Sequence, residues 1–298
     1  MADTYDTQEK SRPLVSVVVA AYNGAANLQR CIDSVARQTV PECELIVIDG
    51  GSSDGTVDIL KANSETVTYW ESEPDRGIYH AWNKGVVRAR GEWLCFLGVD
   101  DSLWAMDTLE RFRPHLDAAL PAHRVVYGQV AVVARSGGET IAVIEQPWER
   151  ARHRFFVAMS IPHPGTFHHR SLFEEHGGFD EGFRQAGDYD LLLREFRRRP
   201  PLYVSGLIQA AYEEGGVTTR LDAALRGIHE RRRALVGNGI SLSRARVAWM
   251  YVEDLGRVGL RSLFGEAAMR WVQRAYRAIV QRGGPKTPAS VRSRADTA

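Results

Sequence analysis

The sequence is poor in cysteine, has no long apolar run and carries almost no net charge, and each lack closes off a class of protein. Cys31, Cys43 and Cys95 are the only cysteines in 298 residues, and they form neither a Cys-x-x-Cys pair nor a Cys/His zinc pattern. They are too few for a disulfide framework and fit a reducing compartment. Cys95, within the apolar run Trp93–Leu97, reads as a core thiol. No stretch reaches the roughly 18 apolar residues of a membrane span. Met1 to Arg12 is a polar tail without the apolar stretch of a signal peptide. The expectation is a cytoplasmic protein, able to sit peripherally on the inner face of the plasma membrane. With 38 Lys+Arg against 37 Asp+Glu, the whole chain carries no signal for nucleic acid. Its 44% hydrophobic content also argues against a disordered chain.

Two phosphate-binding signatures are missing as well. The first apolar run ends in Tyr22-Asn23-Gly24-Ala25-Ala26, which is neither a Gly-x-Gly-x-x-Gly loop nor a Walker A loop. A sugar-phosphate nucleotidyltransferase, which shares the α/β layout, would need a glycine-rich loop at that place.

What is present is an alternation of strand and helix patterns. Residues 14–21 are short, apolar and β-branched, as in a buried parallel strand. Leu28, Ile32 and Val35 then share a helical face. Glu44–Ile48 reads as a second strand, 67–70 as a third and 92–97 as a fourth, with helical patterns between them. This is the βαβ signature of an α/β domain. Further on, 125–134 and 140–145 read as a hairpin, 107–120 and 189–198 as helices, 150–187 as loop-rich and 202–211 as a last strand. From 221 only helical patterns follow, then a polar tail expected to be disordered. The expected division is a tail at 1–12, an α/β domain at 13–220, a basic helical extension at 221–282 and a tail at 283–298.

Acidic residues cluster after the early strands: Asp49, Asp75, and the pair Asp100–Asp101. Open α/β sheets bind ligands outside the carboxyl ends of their strands. Carboxylates gathered there repel one another, and a divalent cation carrying a phosphorylated ligand relieves that repulsion. Mg²⁺ or Mn²⁺ takes one or two protein carboxylates and completes its shell with phosphate and water. Each Asp taken alone is equally a turn residue or a helix cap; their recurrence at successive strand ends points to a site.

These pieces carry a resemblance. Residues 15–23, Ile48–Thr56, Ser72–Tyr79, Trp82–Gly85, Phe96–Asp101, Gly177–Asp180, Asp188–Arg194 and Gly215–Thr218, in this order, resemble family 2 glycosyltransferases of the GT-A fold, most closely those that build O-antigens and exopolysaccharides. The likeness runs from Pro13 to about Thr219. It implies an inverting, metal-dependent transferase that moves a sugar from a nucleotide-sugar donor, expected to be UDP-linked, to a hydroxyl of a glycan or lipid-linked acceptor. It further implies that Ala20, Tyr22, Asn23 and Ser52 border the nucleotide and that Asp49 accepts from the base. By the same likeness Asp75, Gly77 and Asn83 line the nucleotide and sugar pocket, and Asp100 lies near the ribose or sugar. Asp101 would bind Mn²⁺ or Mg²⁺, and Asp188 would be the catalytic base. The chain departs from the family pattern at Gly98 and Gly187, where many relatives carry Asp or Asn and Glu, leaving it fewer carboxylates. His163 is a candidate contact to phosphate or acceptor, or a loop stiffener. Tyr79 and Trp82 are candidates for packing or for stacking on a sugar. A non-catalytic, sugar-nucleotide-binding scaffold is the alternative on this fold; the presence of Asp101 and Asp188 speaks against it.

The charge is unevenly spread. From Arg220 onward there are 16 Lys+Arg and 6 Asp+Glu, leaving 22 against 31 before it. Trp271, Val272, Ala275 and Ile279 make an apolar face flanked by Arg270, Arg274 and Arg277. A basic amphipathic helix suits an anionic membrane surface, here through residues 243–282; docking on the core or a homodimer is the other use of such a face.

Overall fold

The computed structural model describes residues 12–135, 138–214, 221–245, 247–248, 250–252 and 256. The N-terminal tail before Arg12, the Gly215–Thr218 motif, the apolar–basic face around Trp271 and the C-terminal tail lie outside the described residues.

The chain opens with β1 (Val15–Ala21), α1 (Leu28–Ala36), β2 (Cys43–Asp49), α2 (Thr56–Ala62), β3 (Tyr69–Ser72), α3 (Ile78–Arg88) and β4 (Trp93–Gly98). These four strands are parallel, in the order β3-β2-β1-β4. Their apolar runs follow from burial on both faces. Alternate residues serve opposite sides: Val18, Ile46, Ile48, Leu94 and Phe96 point into one core, and Val17, Val19, Leu45, Val47, Cys95 and Leu97 into the other. Leu28, Ile32, Leu60, Leu109 and Phe112 fill the second core, and Tyr79, Trp82, Phe155, Phe173, Leu192 and Ile228 fill the first. The later elements are β5 (Asp101–Leu103), α4 (Thr108–Asp117), β6 (Val125–Val133), β7 (Thr140–Ile144), α5 (Trp148–Phe155), β8 (Phe167–His169), α6 (Arg170–His176), α7 (Gly187–Phe196), β9 (Leu202–Glu213) and α8 (Leu221–Gly237).

The sheet continues past β4 as β8-β6-β9-β5, with β7 paired to β6 as a hairpin arm. β8 runs antiparallel to β4, and β5 antiparallel to β9. Four elements differ from the sequence reading. The stretch 150–187, read as loop, contains β8 and α6, and α5 runs into it. β8 is Phe167-His168-His169, which has no strand-like pattern; it forms because β4 and β6 flank a slot that three residues can bridge. β5 was also missed, because Asp101–Leu103 is too short to show a period.

The division expected near residue 220 is not a boundary between separate cores. Ile228, Ala234 and Leu235 of α8 are buried in the same cluster as Phe96, Trp82 and Leu192. α8 packs on α7 and belongs to the body of the protein.

Candidate active site

The loops after β1 and β2 are zipped together by short polar contacts. Asn23 holds a left-handed backbone (φ 49°) and donates its N–H to Ser52 Oγ at 2.7 Å. Its own Oδ1 accepts from Ser53 N at 3.0 Å. Gly24 N donates to Thr56 Oγ1 and Ala25 N to Asp54 Oδ2. Ala20 sits between the two neighbouring strands, opposite Ile48 and Gly98. Tyr22 projects into solvent, 66% exposed. An aromatic ring left on a polar loop beside a crevice is free to cover a planar ligand.

Asp49 is fully buried at the end of β2. Its Oδ2 accepts from Gly51 N (3.1 Å), Ser52 N (2.9 Å) and Ser72 Oγ (2.6 Å), and its Oδ1 from Ser52 Oγ. The carboxylate that was expected to accept from a base thus organises its own loop, and a base would share its oxygens with Ser52. The next loop abuts this one. A Cβ on Gly50 would stand 2.6 Å from Asp75 Oδ2, while Asp75 Oδ1 accepts from Gly77 N at 2.8 Å. Gly77 has φ 124°, a conformation that favours glycine, and starts α3.

Asp100 and Asp101 straddle the turn from β4 to β5. Asp100 Oδ1 accepts from Asn27 Nδ2 at 2.6 Å, and its carbonyl from Arg30 Nη2. Arg30 also pairs with Glu213, at the end of β9. Glu213 is buried and ion-paired, because β9 runs two residues past the strand expected at 202–211. Asp101 Oδ2 accepts from Gly98 N at 2.7 Å. Burial pushes the Asp101 carboxyl up to about 7; Asp100 adds to the rise, and the Gly98 N–H and Arg30 oppose it.

A half-buried carboxyl with a raised pKa, one oxygen held by backbone and the other without a donor among the described residues, is the donor chemistry a hard divalent cation takes. Gly98 leaves room beside it: a Cβ there would be in ordinary contact, 3.4 Å from Asp101 Oδ2. Among the described residues no group of three His, Cys, Asp or Glu is gathered to hold a metal. The residues therefore fit an ion that draws most of its ligands from phosphate and water, and do not form an all-protein cage.

Asp188 comes from the other side. It is the second residue of α7, not its cap; Ala186 caps the helix. Its Oδ1 accepts from Tyr189 N at 2.8 Å and from the Tyr79 hydroxyl at 3.0 Å. Burial raises its pKa, and these two donors oppose the rise. Tyr79 is itself buried, edge-on to Trp82 at 5.6 Å, so the pair packs and does not present a sugar platform. The Tyr79 ring also fills the space beside Gly187, where a Cβ would stand 2.8–2.9 Å from its carbons. The glycine at 187 and the tyrosine at 79 thus share one space. No local pattern marked Tyr79 as a partner of Asp188, 109 residues away.

Two sequence candidates lie in the walls. Asn83 donates Nδ2 to Phe179 O and Glu181 Oε1 and accepts at Oδ1 from Phe179 N. Its amide is fully engaged in clamping 178–181 to α3, so it shapes the pocket instead of lining it with free polar atoms. His163 is buried in an aromatic cluster, 5.2 Å from Trp82 and 5.3 Å from His168 between ring centroids. Burial pushes its pKa down to about 4 and its Nε2 has no hydrogen-bond partner among the described residues. His163 is thus a neutral ring packed in the aromatic cluster.

The profile of the family described as "Glycosyl transferase family 2" matches residues 16–176. A Mycobacterium bovis protein named "PGL/p-HBAD biosynthesis glycosyltransferase" is 33% identical over 218 residues, covering 70% of this chain and 80% of that protein. The chain belongs to glycosyltransferase family 2. As a family member it is an enzyme, a glycosyltransferase, and Asp188 lies beyond the stretch that the profile matches. Solved structures bear out the GT-A fold. Staphylococcus aureus TarS 1–349 in complex with UDP-GlcNAc superposes with a TM-score of 0.60 at 18% identity, covering 90% of this chain and 80% of that one. The chain spans 44% of the longer TarS chain. The mannosyltransferase PcManGT of Pyrobaculum calidifontis, in complex with GDP-Man and Mn²⁺, gives 0.56 at 19% identity, covering 94% of this chain and 78% of that one. No helix among the described residues is long and apolar enough to cross a membrane.

Proposed function

We propose that this glycosyltransferase uses a nucleotide-sugar donor, UDP-linked, and transfers the sugar with inversion to a hydroxyl of a glycan or lipid-linked acceptor in cell-surface polysaccharide synthesis. The observation that carries this reading is the half-buried Asp188, hydrogen-bonded to Tyr79 on α3, the helix that starts at Gly77 beside the Asp75 loop. The loops at 20–24 and 49–52 would hold the nucleoside, and Asp75, Gly77 and Asp100 the ribose and sugar. The complexes with UDP-GlcNAc and GDP-Man support a nucleotide-sugar donor as such.

Asp188 takes the proton from the acceptor hydroxyl as its oxygen attacks the anomeric carbon. The bond to the diphosphate breaks on the opposite face, which inverts the centre, and the nucleoside diphosphate leaves. Such base assistance is typically worth ~10²–10⁴-fold. The Tyr79 hydroxyl and the Tyr189 N–H hold the carboxylate in place and keep it ionised against burial. Asp101 would hold Mn²⁺ or Mg²⁺, with Asp100 beside it, and the ion supplies charge neutralisation of the leaving diphosphate when bound.

A thermal-shift screen of nucleotide sugars with Mn²⁺ and Mg²⁺ tests the reading. A UDP-sugar is expected to raise the melting temperature, more with metal than without; no shift with any nucleotide sugar overturns it. Membrane contact through 243–282 rests on sequence alone. Replacing Arg270, Arg274 and Arg277 with Glu in the full chain should cut its sedimentation with anionic liposomes, and unchanged pelleting overturns that part.

A further inference from the structure

The wall between Gly77 and Asp188 holds a cation that the roles above leave unused. Gly77 gives its N–H to Asp75, and two residues on Tyr79 donates to Asp188; the basic side chains around these loops are mostly committed. Arg76 pairs with Glu181, Arg30 with Glu213, Lys84 with Glu71 (2.9 Å), Arg194 with Asp190 (3.1 Å) and Arg233 with Asp180 (2.5 Å). Arg184 has no acidic partner among the described residues. Its guanidinium lies directly over Gly77: a Cβ there would stand 2.5 Å from Arg184 Nη1. Any side chain at 77 would displace it.

The position of Arg184 is fixed from behind. Glu230, buried on α8, accepts from Arg184 N with both oxygens (3.0 Å each), from Gln185 N at 2.7 Å and from Ala186 N at 3.0 Å. One buried carboxylate thus grips three successive N–H groups of the segment that leads into α7. That grip sets the backbone from which Arg184 reaches over Gly77. A planar guanidinium without an acidic partner among the described residues, over the glycine between Asp75 and Tyr79, is suited to a phosphoryl group, which it can meet with two parallel N–H bonds.

We propose that Arg184, aimed by Glu230, holds a phosphoryl oxygen of the donor diphosphate. The proposal rests on the nucleotide-sugar reading above. It makes Arg184 a binding residue and Glu230 a positioning residue, the latter supplied by a helix that the sequence alone would assign to an appendage.

Calorimetry on the full chain tests it, with UDP and GDP each titrated against its nucleoside, in wild type, Arg184→Gln, Arg184→Lys and Glu230→Gln. Arg184 is exposed, so Arg184→Gln should keep the wild-type melting temperature. Its affinity for the diphosphate that wild type binds should fall about tenfold or more, as expected for a lost charged hydrogen bond, with nucleoside affinity unchanged. Lysine, which keeps charge but not the fork, should fall between. Glu230→Gln should weaken the diphosphate in the same direction. Diphosphate affinity within about twofold of wild type in Arg184→Gln overturns the proposal, as does an equal loss for diphosphate and nucleoside. A raised acceptor KM at unchanged UDP affinity would move Arg184 to an acidic acceptor and overturn it too. A wild type that binds neither diphosphate overturns the donor reading first and this proposal with it.

Discussion

The two walls of the crevice are built differently. On the side of β1 and β2 the contacts around Asp49 and Asp54 stay within 29 residues of chain: Asp49 is served by Gly51, Ser52 and Ser72, and Asp54 by Thr56 and Ala25. On the side of α7 nearly every contact is remote: Asp188 meets Tyr79, Asn83 clamps Phe179, and Glu230 grips residues 184–186. The first wall is assembled within the β1–β3 segment, whose loops bond to one another. The second exists only once three helices have docked, so its precision depends on tertiary packing. The proposed base sits in this second wall, where a small change in helix position is felt directly in its geometry.

That contrast can be broken at several points. The largest effect is expected for Asp188→Asn, which should lose transfer by ~10²–10⁴-fold while donor binding stays intact. Single-turnover kinetics beside calorimetry would check it, and equal turnover by mutant and wild type removes the base assignment. Next is Asp101. Chelation should weaken UDP binding to wild type and much less to Asp101→Ala; the same EDTA effect on both removes Asp101 as a ligand.

The pH dependence of Asp101 has a definite sign. A carboxyl whose pKa rises on folding to about 7 gives stability that is present below its unfolded value near 4 and is lost as pH climbs through about 7. The metal-free protein should therefore melt lower at pH 8 than at pH 5 through this group, and Asp101→Asn should flatten that trend. Metal binding has the opposite trend, since a protonated Asp101 is a poor ligand: Mn²⁺ affinity should fall below about pH 7.

Smaller effects separate the walls. Tyr79→Phe removes a donor that holds the Asp188 pKa down, so the acid limb of the pH–rate profile should move to higher pH; an unmoved limb would show that the hydroxyl does not tune the base. Asn83→Ala should cost about 1–3 kcal/mol in urea denaturation, because it strands the Phe179 N–H in a buried wall. Ser52→Ala, which removes the donor to Oδ1 of buried Asp49 and the acceptor of Asn23 N, should cost about 1–3 kcal/mol by the same measurement.

The same contrast explains what could be read in the sequence. The βα alternation and the acids at the strand ends were legible because they depend on short-range patterns: short continuous apolar runs followed by Asp and Gly. β8 was not, because two histidines become a strand only when β4 and β6 offer the slot. Nor was the role of α8. Its basic composition suggested an appendage, whereas its buried face and Glu230 tie it to the body. The engagement of Asn83 and the burial of His163 were equally hidden, since both follow from neighbours 80 or more residues away or from an aromatic cluster assembled across four elements. Asp101 and Asp188 were named from resemblance; their raised pKa values come from burial, which no spacing encodes.

The shared space between Gly187 and Tyr79 has an evolutionary consequence. A carboxylate could enter at 187 only if the ring at 79 shrank, and a ring could enter at 79 only opposite a glycine. The two positions should therefore change together among related enzymes, and a paired library randomising both would recover active clones on that diagonal and few elsewhere.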